Sequence, residues 1–424
     1  MGQMQEKMMK VLLVNNFYYN RGGDCTYLFS VKRLLEENKH KVVVFSMHHP
    51  QNFESEYSGY FVSYVNYAEE IKSKNLFSGL KVLFRTIYSF ESRNNLERLI
   101  EKERPDIAHI QNIHHHITPS IFYVLKKHKI PIVWTLHDYT LICPNTSFLC
   151  QGKVCERCKK TRYFWPLLVK CKKNSFAASA MAAIENTAHR IMGVYNLVDI
   201  LITPSNYLRD KLIEYGFKKE KILCLNNFID VDLNDKKRDN KNIDDYYLYV
   251  GRISEEKGIR TLIDAAITDN KISLKIVGDG PLREEMIFYA KSKDKNRTID
   301  FLGHKSHNEV IEFMKGCKFV VVPSEWYENF PYSILEAFAC GKAVIGSRIG
   351  GIPELVKDRE TGLTFEPGNS VDLRSKIEYY TYNPDKAEEM GKNARLFIEN
   401  ELNADEHYRR LMEIYKQVTS RQIG

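Results

Sequence analysis

The sequence predicts an α/β fold built from two units, and three observations carry that prediction. Short uninterrupted apolar runs, such as Val11-Leu12-Leu13-Val14 and Phe319-Val320-Val321-Val322, alternate with segments of helical spacing. Runs of this kind suit parallel strands buried on both faces. Most runs end in loops rich in Gly, Asn, His or Asp, and open α/β sheets bind ligands at such strand ends. A stretch almost without apolar side chains, within residues 229–245, separates one such series from another and reads as a linker. The units are therefore expected over 1–228 and 246–400, joined by a linker over 229–245 and followed by 401–424.

Taken in order, Lys10–Asn15 forms the first strand, and a loop through Arg21-Gly22-Gly23-Asp24 leads to Tyr27, Leu28, Val31, Leu34 and Leu35 at helical spacing. Two glycines before a helix let a ligand approach the backbone, and the helix end favours an anion. Lys41–Phe45 is the second strand, and residues 67–104 are helix and loop. Asp106–Ile110 is a buried strand followed by His114-His115-His116. Successive side chains diverge, so these three do not face one metal; one of them is expected to line an acceptor cleft. Pro131–Leu136 is a strand ending in His137, placed to hydrogen-bond a sugar or to act as a polar strand cap. Asp199–Thr203 runs to a helix capped by Ser205.

The second unit opens with Tyr247–Gly251, then Arg252 and, five residues later, Lys257. A planar guanidinium and a compact ammonium can together neutralise a diphosphate. Leu274–Val277 and Phe301–Leu302 are strands whose loops begin at Gly278 and Gly303-His304. After Phe319–Val322 comes a loop to Pro331, which suits a first helical turn, and a helix from Ser333 to Cys340 closed by Gly341. Glu328 lies in the loop, and Glu336 lies in the helix, with seven residues between them. A carboxylate in the helix can accept from a ribose diol, one in the loop can reach a sugar hydroxyl, and helix-end amides between them can hold phosphate.

This stretch resembles the E-x7-E signature of family-four retaining glycosyltransferases, and the resemblance runs over nearly the whole chain. It implies the GT-B fold, two Rossmann-like domains facing across a central cleft, with the C-terminal helix crossing back to the first domain. It implies that Glu328, Arg252, Lys257 and His137 serve catalysis. Gly22, Gly23, Gly278, His304, Asn329, Phe330, Ser333, Ile334 and Glu336 would bind the donor. The implied activity is metal-independent, retaining transfer of a sugar from a nucleoside diphosphate to a glycan or lipid-linked acceptor in surface-polysaccharide assembly. Relatives often carry Glu two residues beyond the glycine pair, where this chain has Cys25. A phosphorylase, a sugar-nucleotide epimerase and a non-enzymatic nucleotide-sugar binder share this architecture and are the alternatives.

Composition bounds the partners. The 424 residues carry 43% hydrophobic and 27% charged side chains, ordinary for a water-soluble protein. The net charge of +8 is concentrated in residues 1–205, which hold about ten excess positive charges. No stretch approaches the roughly 18–20 apolar residues of a membrane span, and no signal-peptide core precedes the first strand. The nine cysteines are then expected as thiols, and the chain as cytoplasmic, at the inner face of a membrane.

Five of those cysteines, Cys143, Cys150, Cys155, Cys158 and Cys171, fall in an insertion over about 143–173. The knuckle Cys155-Glu156-Arg157-Cys158 suits a structural zinc, with an iron–sulfur cluster or free thiols as alternatives. Cys143, Cys155, Cys158 and Cys171 match a cysteine-rich bacterial polysaccharide-biosynthesis subgroup, which makes them the expected ligands. Lys159, Lys160, Arg162, Lys170, Lys172 and Lys173 bracket Tyr163–Val169. That pattern suits a membrane interface or a docking surface; nucleic acid, which would stack on the aromatics, is not expected.

Overall fold

The computed structural model describes residues 8–64, 84–229, 244–267 and 272–420. The chain's first residues, most of the expected linker and residues 67–83 of the 67–104 segment lie outside the described residues.

The first domain contains β1 (Lys10–Val14), β2 (Lys41–Phe45), β3 (Ile107–Ile110), β4 (Ile132–Thr135), the hairpin strands β5 (Leu149–Cys150) and β6 (Lys153–Val154), β7 (Ile200–Thr203) and β8 (Ile222–Cys224). The second contains β9 (Tyr246–Val250), β10 (Ser273–Val277), β11 (Ile299–Gly303), β12 (Val320–Val322), β13 (Val344–Ser347) and β14 (Gly362–Phe365). Two six-stranded sheets result, in the orders β2-β1-β3-β4-β7-β8 and β11-β10-β9-β12-β13-β14. Every pairing within them is parallel. The α/β class read from the apolar runs is therefore the class observed.

Alternation along β9 shows why both faces of the second sheet must be covered. Tyr247 and Tyr249 enter one core with Phe319 and Tyr380. Tyr246 and Leu248 enter another with Val320, Phe338 and Ile398. In both sheets the strand order reverses in the middle, between β1 and β3 and between β9 and β12. Loops leave in opposite directions at such a switch point and open a crevice. The Gly22-Gly23 loop follows β1, Asn112 follows β3, Gly251 follows β9, and Glu328 follows β12.

The last helix, Ala404–Ser420, belongs to the first domain's core. Its Leu411, Met412, Tyr415 and Val418 pack with Val14, Trp134 and Ile202. The Tyr415 hydroxyl lies 2.7 Å from His109 Nδ1, whose Nε2 is 2.7 Å from Thr135 Oγ1. Burial holds the His109 imidazole down at about 3, so it sits here as a neutral hydrogen-bonding bridge. His407 on the same helix stacks on Phe228 at 4.2 Å and meets the Tyr27 hydroxyl at 3.1 Å.

Candidate active site

The segment between β12 and the helix Tyr332–Ala339 builds the centre of the site. Pro331, with φ −72° and ψ 125°, is the N-cap residue rather than part of the first turn. Glu328 stands three residues before it and is 6% exposed. One of its carboxylate oxygens, Oε1, accepts from Lys257 Nζ at 2.6 Å and from Ser324 Oγ at 2.7 Å. Burial alone would raise this carboxyl, but the Lys257 charge and the two hydrogen bonds overcome it and leave it below the ordinary range.

Lys257 reaches Glu328 because of the residue after it. Gly258 has φ +67°, and a Cβ there would lie 2.0 Å from the Pro323 carbonyl oxygen. Only glycine lets the short turn Glu255–Lys257 close against the end of β12.

A cleft of about 420 Å³ opens beside this pair. Lys257, Glu328, Asn329, Phe330 and Ser333 line it from the second domain, with Gly23 and His137 from the first. His137 Nε2 donates to Gln111 Oε1 at 2.6 Å, and burial lowers its imidazole to about 4. It therefore faces the cleft neutral.

Other residues of the expected set lie outside that lining. Arg252 follows the lining Gly251 but is itself exposed. His304 is exposed in the loop after β11. Gly278 packs backbone against backbone: its N–H donates to the Gly303 carbonyl at 2.9 Å, and the Gly251 carbonyl occupies the space of a side chain. Gly22 is extended, with φ −176°, so its conformation makes no demand for glycine. Ile334 is wholly buried, and its N–H donates to the Pro331 carbonyl at 3.2 Å, which leaves Tyr332 and Ser333 as the cleft-lining residues of this turn. Glu336 sits one turn deeper, with His307 Nδ1 at 3.6 Å. Burial raises its carboxyl to about 7.

Several cleft residues were not anticipated. Asp24 and Asp138 present carboxylates from the first domain, and Asn112 Nδ2 donates to Asp24 at 3.0 Å. Asp138 accepts from the Thr140 amide at 2.8 Å, while burial raises its carboxyl. Both acids directly follow residues already singled out, Gly23 and His137, and that adjacency was the available signal. Cys25 is fully buried, with its thiol pushed up to about 12 by burial and by Asp24, so Asp24 is the acid at this end of the cleft.

None of the three consecutive histidines lines this cleft. His114 stacks on Trp134 at 5.4 Å, His115 pairs with Glu185 at 2.8 Å, and His116 packs edge-on to Phe17. Their divergence sends each into a different neighbourhood of the domain.

The two domains touch at the same place. Asn329 accepts from Ser205 Oγ at 2.8 Å and donates to the Leu136 carbonyl at 3.2 Å. Ser205 also caps its helix, accepting from Leu208 at 3.2 Å. Glu354 of the second domain accepts from the Asn206 and Tyr207 amides at 2.8 and 2.6 Å, adding a carboxylate to that helix N-terminus.

The insertion gathers its thiols. Burial and then the nearby Cys143, Cys171, Cys155 and Cys150 raise the Cys158 thiol. Among the described residues, however, no three His, Cys, Asp or Glu side chains form a group that could hold a metal ion. The thiols expected to bind zinc are thus neighbours without being a ligand set in this arrangement.

Comparison with known proteins follows the same division of the chain. Residues 21–233 match the family model described as Glycosyltransferase Family 4. This chain is a family 4 glycosyltransferase. Residues 230–397 match the model for glycosyl transferases group 1. An uncharacterized glycosyltransferase of Methanocaldococcus jannaschii is 27% identical over 92% of this chain and 93% of its own length. A Campylobacter jejuni N,N'-diacetylbacillosaminyl-diphospho-undecaprenol α-1,3-N-acetylgalactosaminyltransferase is 26% identical over 57% of this chain and 66% of its own. Among solved structures, a Rickettsia africae glycosyltransferase superposes with a TM-score of 0.66 at 19% identity, covering 97% of this chain and 98% of its own. The Anabaena protein HepE, solved with UDP and glucose, gives 0.62 at 18% identity, over 96% and 100%. The glycosyltransferase thus has the GT-B architecture, and its cleft lies between the two domains. No helix among its described residues is long and apolar enough to cross a membrane.

Proposed function

We propose that this glycosyltransferase moves a sugar, with retention of configuration and without a catalytic divalent metal, from a nucleoside diphosphate to a glycan or lipid-linked acceptor. The observation that carries the reading is the Lys257–Glu328 pair at 2.6 Å, set in a cleft between two domains. As the glycosidic bond breaks, negative charge grows on the leaving diphosphate and positive charge on the sugar ring. Lys257 and the amides near Ser333 would take the first, and the Glu328 carboxylate would orient the donor sugar. Arg252, one residue from the cleft-lining Gly251, would swing onto the diphosphate. Glu336 would accept from the ribose hydroxyls, and neutral His137 would hydrogen-bond the transferring sugar. No side chain is assigned as a double-displacement nucleophile; attack comes on the face the diphosphate leaves.

Two further features support the acceptor class. The Campylobacter relative's name describes transfer to a lipid diphosphate. In this chain Phe164 and Leu168 are 51% and 67% exposed, among the basic residues Lys159, Lys160, Arg162 and Lys170. Exposed apolar side chains ringed by lysines suit an anionic membrane surface where such an acceptor would sit.

The test is incubation with UDP-, GDP-, ADP- and TDP-sugars, with and without membrane lipid extract, followed by assay of free nucleoside diphosphate and the product's anomeric configuration. Diphosphate release that rises with lipid extract and an α-product from an α-donor are expected. An inverted product overturns retention, a requirement for inorganic phosphate indicates a phosphorylase, and no release from any donor overturns the reading.

A further inference from the structure

The insertion touches both loops that carry the Lys257–Glu328 pair. Glu156 lies in the knuckle between Cys155 and Cys158. Its carboxylate oxygen Oε1 accepts from the Tyr327 hydroxyl at 2.7 Å and from Lys211 Nζ at 2.7 Å. Tyr327 directly precedes Glu328 in the chain. Its ring packs between Phe148, with centroids 5.8 Å apart, and Tyr207, at 5.1 Å. Phe148 is only 1% exposed and also packs on Tyr139, which lines the cleft. At the hairpin tip, Gly152 lies against Glu255, two residues before Lys257: a Cβ on it would be 2.1 Å from the Glu255 carboxylate. The first domain thus holds the second through a carboxylate that is half-buried and shared by two donors.

We propose that Glu156 is a positioning residue: through Tyr327 it fixes the loop bearing Glu328 in the closed arrangement of the two domains. The inference rests on the transfer reaction proposed above but concerns a residue outside the cleft lining. Tyr327 spans the gap between domains, so its hydroxyl bond exists only when the domains are closed. Removing either partner frees the backbone of the Glu328 loop and leaves Lys257 to pair with a mobile carboxylate. Lys257, Ser333 and Glu336, proposed to hold the nucleoside diphosphate, lie outside that loop, so the loss should fall more on turnover than on donor KM.

The test uses the full chain and the variants Glu156→Gln and Tyr327→Phe, alone and together. Hydrogen exchange is followed in peptides spanning Ser324–Phe330. Exchange there is expected to quicken by about tenfold in each single variant, the effect of losing one charge-assisted hydrogen bond. The double variant should be no faster than the quicker single, and the melting temperature should fall by only a few degrees. With an active donor, kcat should drop by a similar factor, with a smaller change in donor KM. Unaltered exchange in Ser324–Phe330 in both single variants overturns the proposal, as does strict additivity in the double. Failure of the wild-type chain to use any nucleotide sugar would instead overturn the transferase reading, and the exchange result would still decide the role of Glu156.

Discussion

Lys257 Nζ and Glu328 Oε1 lie 2.6 Å apart, so the cation expected to meet a diphosphate and the acid expected to meet a sugar are already each other's partner. Their side chains are 23% and 8% exposed. Removing the ammonium would strand a buried carboxylate, which costs more than the pair contributes. Lys257→Ala is expected to lower stability by about 2 kcal/mol, less than for a fully buried pair because Lys257 meets solvent. Lys257→Met combined with Glu328→Gln should regain most of it. Urea unfolding of the three proteins checks this. The pair's contribution also has a pH sign. Because the Glu328 carboxyl is held below its ordinary value of 4.5, its stabilisation is present above that value and is lost as acid titrates the folded form.

Glu336 has the opposite sign. Burial raises its carboxyl from 4.5 to about 7, so the folded chain holds this proton more tightly than the unfolded chain does. Unliganded stability should fall as pH climbs from 4.5 towards 7, and Glu336→Gln should abolish that part of the slope. The ionised carboxylate accepts from both ribose hydroxyls more strongly than the protonated acid, one of whose oxygens carries a proton. Nucleoside diphosphate affinity should therefore weaken below pH 7 by up to about tenfold per unit, and the Gln variant should show no such dependence. Calorimetric titration with UDP and GDP between pH 5.5 and 8 measures both.

Much of this site was legible in the sequence because it obeys local rules. The apolar run before Glu328, the helix after Pro331 and the Ser205 cap each depend on neighbours a few residues away, and all three formed. What the sequence could not disclose depends on residues far apart. Ser324 looks like any loop serine until Glu328 folds back on it. Gly278 reads as a ligand-binding turn, but the Gly251 carbonyl, which arrives from the adjacent strand, takes its free side. The three histidines share one sequence motif and yet enter three environments, because Trp134, Glu185 and Phe17 come from separate elements. The contact between Glu156 and Tyr327 joins residues 171 apart, beyond any local pattern.

Glu354 should help hold the domains together. It caps the helix Asn206–Glu214 from the opposite domain through two amide hydrogen bonds. Glu354→Ala is expected to cost about 1 kcal/mol, as for loss of a helix cap, and to increase the radius of gyration. Small-angle scattering of the unliganded variant checks it; a curve identical to wild type would assign the closed arrangement to other contacts.

The last helix should be required for the first domain, not an accessory to the second. Leu411 is wholly buried in the core that contains Trp134. Leu411→Ala should cost about 3 kcal/mol, and the loss should appear as earlier melting of the β1–β8 half. Domain-resolved hydrogen exchange distinguishes this from destabilisation of the second sheet.

Donor cleavage in excess EDTA by wild type and by Lys257→Ala, assayed under conditions where both are folded, bears most directly on the use of a fixed cation. Wild type should release nucleoside diphosphate at an undiminished rate, and the variant should be slower by about 10²–10³, as when a comparable charge-stabilising donor is removed. Loss of wild-type activity in EDTA, or full activity in the variant, would contradict the assignment of Lys257 as the cation that stabilises the departing diphosphate.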